Sequence, residues 1–122
     1  MKSILISNAT IINENSQKIS DIFVKDGRIN QISRDLSHIN ADINIDASGK
    51  YIVPGMIDDQ VHFRDPGLTE KGDIRSESLA AVFSGVSSTF DMPNVDPNTT
   101  TIDLLNDRNL LGANKSWTNY SY

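Results

Sequence analysis

Short apolar runs separated by polar residues fill the first part of the chain, residues 2–52. The runs SILISNATII, DIFVKDGRINQIS and DINIDASGKYIV have the length and punctuation of β-strands. Asp26 and Gly27 stand between two of these runs and predict a hairpin, because both residue types tolerate the positive φ angles of a type I′ turn. This part of the chain is therefore predicted to be a small β unit.

From residue 53 onward the pattern changes to an alternation of strands and helices. A strand is predicted over residues 56–63, and the segments VSSTFDM and SWTNYSY predict two more. Asp73 is the expected N-cap of the first helix and Gly85 its C-terminal stop, and Thr101 and Gly112 have these roles in the second helix. The helical apolar period of the first helix consists of Leu79, Val82, Phe83 and Val86. The βαβαβ order predicts an α/β fold with a parallel sheet and right-handed crossovers.

Composition and charge narrow the choice of partners. The net charge is -5, the eleven Lys and Arg are scattered, and there is no Cys. We therefore expect no binding to nucleic acid or to an anionic membrane, no disulfide and no thiolate metal site. Ser7 and Asn8 interrupt the first apolar run before a signal sequence or membrane span is complete. We expect a cytoplasmic protein that binds a small molecule or another protein.

A row of polar residues follows one side of the predicted strand in GMIDDQVHFRDPG. On a strand, Asp58, Gln60, His62 and Arg64 would face the same way, about 7 Å apart at successive members. Burial of such a row is costly unless its members are paired or bind a ligand. We interpret the row as a site in which His62 does chemistry and Arg64 anchors a negative group. The alternatives are a hydrogen-bonded structural His62, and an ion pair of Arg64 with Asp58 or Asp65.

Asn94 belongs to the segment DMPNVDPN, at the carboxyl end of the next strand. Ligands bind at that end of parallel sheets, and His62 and Arg64 lie at the same end of the preceding strand. Asn94 is therefore a candidate ligand contact. A turn residue between Pro93 and Pro97 is the alternative.

Together, VPGMIDDQVHFRDPG and the later DMPN resemble the cyclic amidohydrolases, and dihydroorotase in particular. The resemblance implies a small β-sandwich attached to a (β/α)8 barrel, so residues 1–52 would be a β-sandwich segment and residues 53–122 the first βαβαβ part of an incomplete TIM barrel. It also implies zinc as cofactor, His62 as a metal ligand, and Arg64 and Asn94 as contacts to a substrate carboxylate. The implied reaction is the reversible hydrolysis of dihydroorotate to carbamoyl aspartate, in pyrimidine biosynthesis. Allantoinase-like and hydantoinase-like relatives usually lack the Arg.

Gln60 departs from the family pattern, which has His at this position. An amide oxygen is a poor zinc ligand, so the resemblance is compatible with a modified metal centre or with a non-catalytic relative. No residue matches the family's later ligands or its catalytic Asp. We expect no hydrolase activity from these 122 residues alone, because a (β/α)8 barrel needs about 250 residues.

Three functional hypotheses follow from these patterns. The first is part of a zinc-dependent cyclic amide hydrolase, either a dihydroorotase or an allantoinase or hydantoinase. The second is a scaffold subunit of the same fold, which would assemble as a homo-oligomer or with aspartate carbamoyltransferase. The third is a free-standing β/α binding module.

Overall fold

A computed structural model describes residues 1–122, which divide into two compact units, Met1–Pro54 and Gly55–Tyr122. The first unit is a five-stranded sheet with the order β3-β2-β1-β4, in which β5 also pairs with β1. Its strands are β1 (Ile4–Asn13), β2 (Ser16–Lys25), β3 (Arg28–Ser33), β4 (Ile43–Asp46) and β5 (Tyr51–Ile52). The pairs β1/β2 and β2/β3 are antiparallel, whereas β4 and β5 run parallel to β1.

The hairpin predicted in the first unit is confirmed. Asp26 and Gly27 connect β2 to β3 with φ angles of 52° and 73°. One buried cluster of this unit consists of Ala9, Ile11, Ile22 and Ala47, and another of Leu5, Leu36 and Ala41. Other apolar side chains face solvent, including Ile19, which is 67% exposed, and Ile29, which is 63% exposed. The unit is rich in β-structure as expected, and its assignment to a sandwich stays a prediction.

The second unit has the predicted βαβαβ order. Its elements are β6 (Met56–Val61), α1 (Ile74–Phe83), β7 (Val86–Asp91), α2 (Ile102–Lys115) and β8 (Asn119–Ser121). The three strands form a parallel sheet in the order β6-β7-β8. A mixed α/β architecture is therefore present, and closure into a barrel stays a prediction.

Both predicted helix N-termini are confirmed. Asp73 caps α1 by accepting a hydrogen bond from the Ser76 amide at 2.8 Å, and Ser76 Oγ accepts one from the Asp73 amide at 3.0 Å. Thr101 caps α2 by accepting from the Leu104 amide. These side chains satisfy amide groups that a helix leaves unpaired at its start. Neither helix is long and apolar enough to cross a membrane.

The predicted end of α2 at Gly112 is wrong, because the helix continues to Lys115. Gly112 instead provides space: a Cβ atom there would lie 2.5 Å from Cε2 of Tyr120 and 2.6 Å from Oη of Tyr122. The C-terminal stop of α1 is confirmed, since Gly85 follows its C-cap with φ 88°.

Three of the four predicted apolar positions of α1 are exposed, and the fourth, Val86, is buried but belongs to β7. Leu79, Val82 and Phe83 are 38%, 44% and 86% exposed, whereas Ile74 and Ser78 are buried. The helix packs with the face that follows Ile74 and Ser78, four residues apart. The apolar period identified the helix, but it did not identify the face that is buried here.

Candidate functional site

His62 and Asn94 come together just beyond the carboxyl ends of β6 and β7. His62 Nδ1 lies 2.9 Å from Asn94 Oδ1. Since an amide oxygen can only accept a hydrogen bond, Nδ1 is the donor in this contact, and in a neutral imidazole Nε2 would then keep its lone pair. The Asn94 amide nitrogen keeps both of its protons for another acceptor. The contact therefore orients an imidazole that can bind a metal or accept a proton.

Arg64 lies two residues after His62, where the chain turns away from the strand. Its φ angle is 66°, and its carbonyl accepts a hydrogen bond from the Leu68 amide at 3.0 Å. The positive φ is uncommon for a residue with a side chain, so the turn holds Arg64 in a conformation that it does not favour intrinsically. His62 and Arg64 line one cavity of about 180 Å³, together with Phe63, Lys71, Gly72 and Glu77.

Arg64 forms no salt bridge in the chain. The alternative ion pair with Asp65 or Asp58 is not present, because Asp65 binds Lys115 at 2.6 Å, and Asp58 accepts from the Gln60 amide at 3.1 Å. The guanidinium group of Arg64 is therefore available to a ligand.

The predicted polar row differs from the structure in two respects. The strand β6 ends at Val61 rather than at residue 63, so His62 and Arg64 belong to the loop that follows it. Asp58 and Gln60 are exposed, so the row is not buried as supposed. His62 and Arg64 nevertheless remain on the exposed side, while Phe63 between them is buried. A register irregularity between Asp58 and Val61 accompanies the end of the strand.

Two ion pairs behind this loop were not predicted from the sequence. Arg108 of α2 binds Asp91 at the end of β7 with an Nη2–Oδ2 distance of 2.5 Å, and both side chains are 2% exposed. Asp91 Oδ1 also accepts a hydrogen bond from the Phe63 amide at 3.1 Å. Lys115 of α2 binds Asp65 at 2.6 Å.

One feature of the sequence could have indicated these ion pairs, namely two positive charges on the inner side of α2. Arg108 and Lys115 are seven residues apart and therefore share a helix face with Leu104 and Leu111. Burial raises the pKa of Asp91, while the Phe63 amide and Arg108 oppose that shift.

Comparison with known proteins shows which proteins this chain resembles. No protein-family model matches the chain. The dihydroorotase of Pediococcus pentosaceus is 40% identical over 94 residues, which are 77% of this chain and 22% of that protein. The dihydroorotase of Methanothermobacter thermautotrophicus is 51% identical over 77 residues, which are 63% of this chain and 17% of that protein.

Solved structures agree with the sequence relatives. The L-hydantoinase from Arthrobacter aurescens superposes with a TM-score of 0.93 at 30% identity, over 98% of this chain and 27% of that one. The chain fits the N-terminal portion of a cyclic amidohydrolase. It spans less than a quarter of the length of the curated relatives it matches.

The residues of this chain do not make a complete metal centre. No group of three or more His, Asp, Glu or Cys side chains is placed to hold a metal ion. His62 is the one histidine of the second unit, and Gln60 offers an amide rather than an imidazole. Zinc takes three or four protein ligands, so these residues alone do not fit a zinc site.

Proposed function

We propose that the chain forms part of a metal-dependent cyclic amide hydrolase of the dihydroorotase type. In this proposal Arg64 binds the substrate carboxylate, Asn94 supports the same group, and His62 is a metal ligand. The observation that carries the proposal is an unpaired Arg64 guanidinium in one cavity with His62, whose ring is held by Asn94.

Arg64 supports a substrate that carries a carboxylate. A guanidinium group matches a carboxylate with two parallel hydrogen bonds, and a charge-assisted bond of this kind contributes about 1.5 to 3 kcal/mol. Lys71 lines the same cavity and adds a second positive charge beside Glu77. Dihydroorotate has such a carboxylate, whereas a simple hydantoin has none to bind.

In this proposal Asn94 binds the same carboxylate of the substrate. Its oxygen accepts from His62, so its amide protons are free to donate to a carboxylate oxygen. One side chain would thus orient both the imidazole and the ligand.

His62 supports the metal-binding part of the proposal through its free Nε2. A metal ion held by His62 together with further ligands would supply activation of the amide carbonyl and of a water molecule. His62 supplies one donor, and the remaining ligands would come from residues outside this chain, because no further donor cluster is present here.

The test uses the full-length product of the reading frame that encodes this chain, with metal content and turnover of dihydroorotate measured together. Arg64→Lys is expected to raise KM for dihydroorotate about 10- to 100-fold, the equivalent of the lost charge-assisted bond. Arg34→Lys, at an exposed position of the first unit, is the matched control and should leave KM unchanged. An unchanged KM in Arg64→Lys would contradict the assignment of the carboxylate to Arg64.

A hydantoinase is the second candidate function. The L-hydantoinase of Paenarthrobacter aurescens is 35% identical over 104 residues, which are 84% of this chain and 23% of that protein. The same preparation is therefore assayed with a 5-substituted hydantoin. Turnover of the hydantoin that is insensitive to Arg64→Lys, without turnover of dihydroorotate, would favour this candidate.

Gln60→His separates an altered metal site from a non-catalytic role. If the natural protein binds zinc and is active, Gln60 is compatible with the centre. If the natural protein is inert and Gln60→His gains only metal, a scaffold is the better description, and co-purification with aspartate carbamoyltransferase becomes the measurement to make.

A further inference from the structure

The loop that carries His62 and Arg64 is attached to α2 by two ion pairs. The first runs from Arg108 to Asp91, and from Asp91 to the backbone amide of Phe63. Phe63 is the residue between His62 and Arg64, so this connection fixes the backbone from which both side chains project. The second joins Lys115 to Asp65, the residue after Arg64.

Both pairs originate from one face of α2. Arg108 and Lys115 are seven residues apart, which is close to two helical turns. The loop is therefore held on both sides of Arg64 by a single helix. Asp65 Oδ2 also lies 3.4 Å from the amide of Ile74, so the second pair includes the first turn of α1.

A contribution to the free energy of unfolding does not by itself explain the buried ion pair of Arg108 and Asp91. Replacement of a buried ion pair by apolar residues of similar volume is often neutral or stabilising. In this chain the arrangement is also incomplete, because Arg108 Nε is buried without a hydrogen-bond partner. The other guanidinium nitrogens bind Asp91 and Thr99, the latter at 3.2 Å.

The direction of the contacts indicates a different role. Asp91 uses one carboxylate oxygen for Arg108 and the other for the Phe63 amide. The guanidinium group thus holds the rotamer of Asp91, and Asp91 holds the loop. An apolar pair could fill the same volume, but it could not bind the Phe63 amide.

We propose that Arg108 and Asp91 are positioning residues for the site, which they align by fixing the backbone between His62 and Arg64. Neither residue contacts the substrate in this scheme. The proposal rests on the proposed function, since it assigns the pair an effect on carboxylate binding by Arg64. Asp65 and Lys115 reinforce the same loop from its other side.

The test is a cycle of variants in the full-length product of the reading frame. One change is Asp91→Leu with Arg108→Met, which removes both charges together and keeps similar volume. The other is Arg64→Lys. KM for dihydroorotate is measured in the natural protein, in each variant and in the combination, and thermal unfolding of each protein is followed by circular dichroism.

We expect the apolar pair to raise KM about tenfold in the natural background, because a misplaced binding group loses much of its effect. In the Arg64→Lys background the same pair should have almost no further effect, because the group that it positions is already lost. A purely structural role would instead lower activity by the same factor in both backgrounds. Equal factors on KM in the two backgrounds, or an unchanged KM whatever the unfolding midpoint, would overturn the proposal.

Two further measurements keep the test decisive. If the apolar pair prevents folding, Asp91→Asn replaces it in the same cycle, since it keeps an acceptor for Phe63 and removes the charge that Arg108 binds. Asp107→Asn, at an exposed position of α2, is the control and should not change KM. If Arg64→Lys alone leaves KM unchanged, the proposed function has failed, which differs from the equal factors that reject positioning.

Discussion

Gly112→Ala is expected to destabilise the second unit, although Ala is the better helix former. Gly112 lies inside α2, and a Cβ there would meet Tyr120 Cε2 at 2.5 Å and Tyr120 Cδ2 at 2.7 Å. These contacts are shorter than the ordinary range of 3.4 Å or more, so the ring has to move by close to an ångström. Tyr122 Oη, at 2.6 Å, has to move as well.

The tyrosine rings are held in place by other contacts. Tyr120 Oη donates to the Asn109 carbonyl at 3.1 Å, and Arg108 lies 4.1 Å from the centroid of the Tyr122 ring. Overpacking of this kind costs about 1 to 3 kcal/mol. Ala returns about 1 kcal/mol relative to Gly in a helix interior. The expected net loss in the free energy of unfolding is about 1 kcal/mol.

Urea unfolding followed by Trp117 fluorescence measures this loss. In a Tyr120→Ala/Tyr122→Phe background the obstructing atoms are absent, so Gly112→Ala should become stabilising by about 1 kcal/mol. Ala113→Gly, at an exposed position of the same turn, reports the propensity difference without the rings. If Gly112→Ala stabilises the natural chain, or has the same sign in both backgrounds, the close-approach explanation is wrong.

Three more predictions concern titration and local backbone geometry. Burial raises the pKa of Tyr122 to about 12, so the stability that depends on its neutral form is present below pH 10 and is lost as pH rises to about 12. The difference in tyrosinate absorbance between the natural chain and Tyr122→Phe should have its midpoint at that pH. A midpoint at pH 10 would refute the prediction. Asp73→Ala should lose about 1 kcal/mol at neutral pH. The Ser76 amide lowers the pKa of Asp73, so the contribution of the cap to stability is present above pH 3.8 and is lost as pH falls through the lowered pKa. The urea midpoints of the natural chain and Asp73→Ala should therefore converge in acid. Gly27→Ala should lower the free energy of unfolding by about 1 to 2 kcal/mol because φ is 73° there, whereas Gly27→Asn should lower it much less. Thermal unfolding followed by circular dichroism compares the two variants. Equal losses of stability would count against the turn geometry.

Local chemistry explains which parts of the fold were predictable. Asp73 and Thr101 cap their helices through amides three residues ahead, and Asp26 with Gly27 forms a turn within the hairpin itself. These contacts join residues that are close in sequence, so the residue types predict them. The end of β6 at Val61 depends on its register with β7, which a single strand does not reveal.

The role of Gly112 also could not be predicted from local sequence. A glycine late in a helical pattern predicts a stop, yet its role here depends on the rings of Tyr120 and Tyr122, which reach it from β8 and the residue after β8. Only the packing of that segment on α2 distinguishes a stop from a close approach.

The candidate site divides in a similar way. The shared carboxyl ends of parallel strands predicted that His62 and Asn94 lie at the same end of the sheet, and the structure adds that their side chains are 2.9 Å apart. The pair of Arg108 and Asp91 was not predicted, because it joins a helix to a strand seventeen residues away. Functional roles for His62, Arg64 and Asn94 stay predictions.

The left-handed backbone at Arg64 has a consequence for sequence variation. Glycine adopts φ 66° without steric cost, and asparagine adopts it more readily than arginine does. In a library of all substitutions at position 64, selection for soluble expression should therefore enrich Gly and Asn, whereas selection for substrate turnover should retain Arg. At position 64 the residues that favour expression and the residue proposed to bind substrate would then differ, and ranking variants by expression alone would discard Arg64.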